Sequence, residues 1–287
     1  MKKNLTEIPI HKLKDRQASG ISIHYIDSSS ILGRQHIMRA HRDDHYIFIF
    51  QQCGTSNLVV DFKEMTIGSN VVLCVLPGQI HFYKSSEGAK GWFLAIDTLL
   101  VEKQYRSVFE EEILMLTPVL MRTPGKEHLD ACFHSLHEVA KDDISGIRQS
   151  VVSNLSGACI GLIAASYLSN EEKHPHSNNR NAVITRQFHA LLKTNFKTIK
   201  APSQYAASLN ISLSYLNECI KATTGNSVSA GIHQEIILEA KRLLCYTSLT
   251  IKEIAYDLGF EDHSYFSRLF SGITGAAPGQ FRKTFHE

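Results

Sequence analysis

The residues best equipped for chemistry in the first hundred positions are histidines. His41, His45 and His81 each offer an imidazole nitrogen that can ligate a metal, take a proton or hydrogen-bond a small molecule. An open metal centre takes three neutral or anionic protein ligands, and these three are the obvious suppliers. Arg39, His41, His45, Tyr46, His81 and Tyr83 together would suit a polar or anionic small molecule, and they are the effector-binding candidates. No nucleophile–base–orienter triad, P-loop or dinucleotide fingerprint accompanies them, so no catalytic residue is assigned and the chain is read as a non-enzyme. Six cysteines, at 53, 74, 132, 159, 219 and 245, form no Cys-x-x-Cys pair, which argues against a structural zinc site and suits small buried side chains.

The segments that must position the histidines are strands. Ile21–Ile26, Tyr46–Phe50, Asn57–Phe62, Asn70–Leu76 and Gly91–Ile96 are short runs rich in β-branched and aromatic residues, punctuated by Gly54, Gly68, Pro77-Gly78 and Gly88. Many short strands at close spacing imply a sandwich or small barrel, whose interior can hold one small molecule. From Asp97 the period becomes helical: Leu129, Cys132, Phe133, Leu136, Val139 and Ala140 recur at that spacing. The segment Val151–Leu168 carries two apolar stripes. Val152, Cys159 and Ile163 are expected to face the barrel, leaving Val151, Leu155 and Leu162 for a dimer contact. Ser153, Asn154, Ser156 and Ser166 interrupt it, so no membrane span is expected.

At 287 residues, with 43% hydrophobic and 20% charged, the chain has the length of two ordinary folded domains and is too apolar for a disordered one. Residues 170–181 contain no large apolar side chain and read as a linker between domains at 1–169 and 182–287. The start of the chain shows no apolar leader, which implies a cytoplasmic location. Residues 1–174 carry a net charge of −2 and residues 175–287 a net +4, so the basic excess belongs to the second half, an asymmetry that suggests nucleic acid but that a solvated basic face would also give.

That second half contains one pattern twice. Ala206 and Ala207 permit close helix approach, a turn falls near Asn210, and Ser212 can cap the next helix, whose Leu216, Cys219 and Ile220 form a buried stripe. About 50 residues later Ala255, Gly259 and Asp262 play the same parts, glycine taking the positive φ the turn requires. Each copy ends in Thr-Gly, at 224–225 and 274–275. Between them Val228–Tyr246 reads as one helix of about 28 Å, near the ~34 Å repeat that separates successive major-groove segments on one face of DNA.

The stretch Glu239–Leu244, Thr250–Ala255, Leu258-Gly259-Phe260, Ser264–Phe270, Gly275, Pro278 and Phe281-Arg282 resembles the DNA-binding domain of AraC/XylS-type transcription regulators. The resemblance spans roughly residues 182–285, and the second motif carries more of it than the first. It departs at Ser271, where the family usually has lysine, and at Ile236, where an arginine commonly begins the long helix. The resemblance implies seven helices, two helix-turn-helix units joined by a long helix, and an N-terminal cupin-like barrel that binds an effector or dimerises. Pro77-Gly78-Gln79-Ile80-His81 resembles a cupin's second motif, but the first motif lacks its expected histidine pair and glutamate, so no metal and no cofactor is assigned.

The fold class expected is therefore α+β with two domains, a cupin-like barrel with trailing helices followed by an all-α domain with two helix-turn-helix motifs. By analogy with the family's motif positions, Ser214, Asn217 and Glu218 on the first recognition helix and His263, Ser264, Ser267 and Arg268 on the second are base-edge candidates. Their chemistry permits it, since Arg bridges guanine O6 and N7, Asn pairs with adenine and Glu accepts from cytosine N4. Lys221, Lys241, Arg242, Lys252, Arg282 and Lys283 are phosphate-contact candidates. Expected partners are double-stranded DNA, a small-molecule effector, RNA polymerase and a second copy of the chain. Two alternatives stand beside this regulator: a metal-dependent cupin enzyme fused to a DNA-binding module, and a constitutive regulator whose barrel only dimerises.

Overall fold

The structure is a computed structural model, and it describes residues 7–13, 19–33, 37–111, 117–141, 146–170 and 180–286. Two compact units divide the chain, Pro9–His174 and Pro175–Glu287, with Met1–Ile8 grouped with the second. Of the expected linker at 170–181, positions 171–179 lie outside the described residues, while 170 ends one helix and 180–181 begin the next.

In the first unit, strands β1 (Ile10–His11), β2 (Ile21–Asp27), β3 (Arg42–Asp43), β4 (Tyr46–Val60), β5 (Lys63–Ile67), β6 (Val71–Val75), β7 (His81–Ile96) and β8 (Val119–Leu120) are joined by helices α1 (Ser28–Leu32) and, before β8, α2 (Lys103–Glu111). Helices α3 (Gly125–Ala140) and α4 (Ile147–Asn170) follow. An antiparallel sheet runs β2-β7-β4-β6-β8, with β5 hairpinned onto β4, while β1 and β3 pair in parallel. β4 and β7 are far longer than the sequence suggests. Gly54 and Gly88, read as strand ends, lie inside them at bulged registers with φ of 73° and 59°. A Cβ on Gly54 would sit 2.2 Å from the Gly88 carbonyl carbon, so this cross-strand approach requires glycine.

Strand alternation divides β4 between two cores. Tyr46, Phe48 and Phe50 pack with Trp92, Phe109 and Phe133 on the helix side of the sheet. Ile47 and Ile49 pack on the other side with Leu58, Leu73 and Tyr83. α4 buries Val152, Cys159, Ile160, Ile163 and Tyr167 in the helix-side core, and the Tyr167 hydroxyl accepts from the Cys74 backbone N–H at 3.1 Å. As a helix it contains a window of mean hydropathy 1.6, long and apolar enough to cross a membrane by composition alone, so the polar interruptions do not by themselves exclude a span. Here that apolar character is used in packing on α2, α3 and β8. Leu155 and Leu162 are half-buried against the same core, whereas Val151 is 42% exposed. All six cysteines are free: Cys74, Cys159, Cys219 and Cys245 are buried, Cys132 is half-buried and Cys53 exposed.

The second unit is helical among its described residues: α5 (Arg180–Asn195), α6 (Pro202–Ser208), α7 (Leu213–Thr224), α8 (Val228–Tyr246), α9 (Ile251–Asp257), α10 (His263–Thr274) and α11 (Pro278–His286). Caps place the breaks. Ser212, Ser227, Thr250 and Asp262 accept backbone N–H groups at the starts of α7, α8, α9 and α10, and Gly225 and Gly275 end α7 and α10 in the left-handed conformation. α6–α7 and α9–α10 are the two helix-turn-helix units, and α8 joins them.

Candidate functional site

Each helix-turn-helix buries one face of its second helix and leaves the other outside. In α7 Leu216, Cys219 and Ile220 are buried, while Ser214, Glu218 and Lys221 are exposed. Asn217 belongs to neither group. Its Oδ1 accepts from the Val228 backbone N–H at 3.1 Å, which ties the amide to the start of α8, and its Nδ2 donates to the Leu213 carbonyl one turn back in α7.

In α10 Phe266 and Phe270 are buried, and His263, Ser264 and Arg268 are exposed. The Asp262 carboxylate accepts from the Ser264 N–H at 2.7 Å, and that bond, with Arg268 a smaller contributor, holds its pKa below the usual carboxylate range. The Arg268 guanidinium is 72% exposed and only grazes Asp262 at 4.0 Å, which leaves its fork available to a duplex. Ser267 is half-buried, and its hydroxyl donates back to the His263 carbonyl. Tyr256 and Tyr265, each 51% exposed, share this part of the chain and were not singled out from sequence, where each stands beside an apolar neighbour, Ala255 or Phe266, that is buried.

The cationic candidates separate by burial. Lys221, Lys252 and Lys283 are exposed. Lys241 lies half-buried with its ammonium 5.6 Å from the Phe281 ring centroid. Arg242 is buried and paired with buried Glu239 at 2.9 Å, so it is removed from the phosphate candidates: its charge is spent inside the protein. Arg282 donates to the Leu244 and Leu249 carbonyls at 2.9 and 2.6 Å, tying down the end of α8.

In the β domain a cavity of about 260 Å³ opens on the side of β4 away from α2, α3 and α4, with Ser30 and Ile31 of α1 in its wall. His41, His45, His81 and Tyr83 line it, joined by His11, His24 and Asp43, which sequence reasoning did not select. Its other wall is apolar, including Ile47, Ile49, Leu58 and Phe93. Two of the effector candidates lie elsewhere. Tyr46 has the opposite strand parity and packs in the helix-side core, its hydroxyl donating to Glu110; burial, then Glu110, raises its pKa far above the normal phenol value. Arg39 is exposed and contributes its backbone carbonyl, which accepts from His41 Nδ1 at 2.7 Å.

The polar end of the cavity is assembled by backbone. His41 and His81 form a reciprocal bridge, with N–H to carbonyl distances of 2.9 and 3.4 Å. Gln79 and Asp61 fix the preceding turn: Gln79 Oε1 accepts from the Leu76 N–H, its Nε2 reaches Asp61, and Asp61 accepts from the Ile80 N–H. The rings of His11 and His81 lie 4.4 and 4.3 Å from that of His41. Burial, followed by the neighbouring His81, lowers the His41 pKa to about 4, so this imidazole is neutral near pH 7. Burial works against ionisation of Asp43, but hydrogen bonds from His11 and His81 outweigh it and hold the carboxyl well below its usual range.

Comparison with known proteins separates the same two regions. Residues 30–148 match the family described as AraC-like ligand binding domain, and residues 205–284 match the family described as helix-turn-helix domain. The chain is similar to the uncharacterized HTH-type transcriptional regulator YfiF of Bacillus subtilis, 23% identical over 283 residues covering 97% of this chain and 88% of the relative. It is 32% identical over 113 residues to the arabinose operon regulatory protein of Escherichia coli, covering 39% of this chain and 38% of that protein. It is 31% identical over 117 residues to an uncharacterized HTH-type transcriptional regulator in the cgkA 5′ region of Pseudoalteromonas carrageenovora, covering 41% of this chain and 69% of the relative.

Proposed function

The chain belongs to the AraC family of DNA-binding transcription regulators, with a ligand-binding domain ahead of its helix-turn-helix region, and on that premise we propose how its parts act. The family is one of regulators, not enzymes, and it implies an intracellular location. The finer reading is a cytoplasmic homodimer divided into a sensing part at 1–169, a linker at 170–181 and a DNA-binding part at 182–287. α7 and α10 present Ser214, Glu218, His263, Ser264 and Arg268 to base edges, while Lys221 and Lys252 meet phosphates. The observation that carries this is α10 itself: a helix capped by Asp262, anchored by buried Phe266 and Phe270, with His263, Ser264 and Arg268 outside.

A small molecule in the β-domain cavity that favours one arrangement of the dimer must change DNA affinity by the same coupling free energy, typically ~1–3 kcal/mol. The outward side of α4, where Ile147 and Val151 are exposed beside half-buried Leu155 and Leu162, is the dimer contact of this reading. RNA polymerase is the further partner an activator of this kind would touch.

Selection from randomised duplexes tests the DNA reading. Arg268→Ala should relax one base position at a cost of ~1–3 kcal/mol, and Lys221→Ala should weaken all sequences alike and flatten the salt dependence. A uniform loss from Arg268→Ala would move that residue to the phosphate class.

A further inference from the structure

The geometry points to a divalent transition-metal site at the polar end of the β-domain cavity, ligated by His11, His41 and Asp43 with His81 adjoining. One donor atom from each of the first three lies within 4.8 Å of the others. They come from β1, from the His41–His81 bridge and from β3, so the set is built by tertiary pairing rather than by one local turn.

Hydrogen bonds orient the rings. A carbonyl oxygen can only accept, so the 2.7 Å contact from His41 Nδ1 to the Arg39 carbonyl puts the hydrogen on Nδ1 and leaves a lone pair on Nε2. The Gln79 carbonyl fixes His81 in the same way at 3.1 Å, yet His81 Nε2 lies 3.2 Å from Asp43 Oδ2. The Asp43 carboxylate thus has one oxygen facing His81 and the other facing His11. Asp43 is 5% exposed and pairs with two histidines, His81 and His11, the latter at 3.4 Å from Oδ1. A buried carboxylate surrounded by three imidazoles is a donor set that a metal completes.

Imidazole nitrogen with a single carboxylate suits Zn²⁺, Fe²⁺, Co²⁺ or Ni²⁺ and disfavours Mg²⁺ and Ca²⁺, which take oxygen donors. Donors at roughly 2.0–2.1 Å around a tetrahedral ion are about 3.4 Å apart, so binding would draw together any pair that now stands wider than that. β1 meets β3 through two residue pairs, Ile10 with Arg42 and His11 with Asp43, which makes this a small local movement. Three protein ligands leave a position open to the cavity, where a carboxylate or hydroxyl of a bound molecule would complete the shell. This goes beyond the regulator assignment, and its readout is metal rather than DNA, so either can fail without the other.

The test uses the full chain, stripped with a chelator and titrated with Zn²⁺, Co²⁺ and Mg²⁺. One equivalent of Zn²⁺ or Co²⁺ should bind, Co²⁺ giving the intense visible bands of a four-coordinate nitrogen–oxygen site, and Mg²⁺ should not bind. His41→Ala and Asp43→Asn should each weaken Zn²⁺ binding by roughly 100-fold or more, the upper end of what even outer-shell changes cost. His128→Ala, on the exposed side of α3, should leave it unchanged. Circular dichroism reports whether each variant folds, and His11→Ala, at a half-buried two-residue strand, replaces any that does not. Failure to bind one equivalent, equal binding of Mg²⁺, or wild-type affinity in the folded ligand variants would overturn the site, the last because the ion would then rest on other members of the chain's 15 histidines.

Discussion

Gly259 fixes the turn of the second helix-turn-helix by contact as well as by conformation. Its φ is 79°, and a Cβ there would lie 1.9 Å from the Lys197 carbonyl oxygen. Gly275, at the end of α10, has a comparable φ of 76°, but an added Cβ meets nothing within 4 Å. Gly275→Ala should therefore carry only the left-handed penalty of roughly 1–2 kcal/mol. Gly259→Ala carries that penalty and must also open the turn by more than an ångström. The opening disturbs Lys200, whose ammonium joins the Lys197 and Leu258 carbonyls at 2.9 and 2.6 Å. We expect a total of about 3 kcal/mol or more, a Tm fall of roughly 10 °C or more for a unit of this size. α10 begins four residues after Gly259, so the same movement re-aims the reading helix and should weaken DNA binding as well. The assay is thermal unfolding of the full chain beside binding to a selected duplex. Leu94→Ala in the helix-side core of the β domain identifies which transition belongs to the other unit. Asn210 holds φ 55° in the corresponding turn of the first motif, so a side chain is tolerated where no such contact forbids it. Equal costs for Gly259→Ala and Gly275→Ala, within ~0.5 kcal/mol, would refute the contact argument.

Asn217→Ala should cost about 1 kcal/mol of stability by removing the acceptor at the start of α8, with base preference unchanged in a duplex selection. Arg242→Ala should destabilise by about 3–5 kcal/mol in denaturant unfolding, because Glu239 would keep its buried charge without the guanidinium; a loss seen only in DNA binding would restore Arg242 to the phosphate contacts. Glu253 and Asp262 both titrate below their ordinary values because backbone N–H groups at the starts of α9 and α10 bond their charged forms. A carboxylate whose folded-state pKa is depressed stabilises above its unfolded pKa and ceases to as pH falls through the folded value. Melting of the helical unit should thus drop below about pH 4, and the double variant Glu253→Gln, Asp262→Asn should flatten that drop. Leu155→Glu with Leu162→Glu should shift a dimer to monomer in sedimentation, and an unchanged sedimentation coefficient would remove α4 from the interface.

The helical half was legible because its signals are local. Caps, a turn glycine and a buried stripe lie within a few residues of each other, and α8 spans Val228–Tyr246 as its apolar phases imply. What was not legible there is the difference between an amide that reads a base and one that caps a helix. Asn217 reaches Val228 eleven residues on, and its side-chain type suits both tasks. Arg242 was more accessible, since a glutamate three residues earlier is the ordinary spacing of a helical ion pair.

The β domain shows the complementary limit. Strand parity alone places His41, Asp43, His45, Ile47 and Ile49 on one face and Tyr46 on the other, so a strict period of two would have excluded Tyr46 and admitted Asp43. Glycines 54 and 88 misled because a cross-strand contact at Gly54 and a left-handed φ at Gly88 demand the same residue as a turn. His11 had no comparable signal. A two-residue strand has no period to read, and its pairing with Arg42 and Asp43 joins positions more than thirty residues apart. A variant series confined to the His41–His45 segment would therefore miss one of the three proposed donors, and a metal still held by His11 and its neighbours would be mistaken for surface binding.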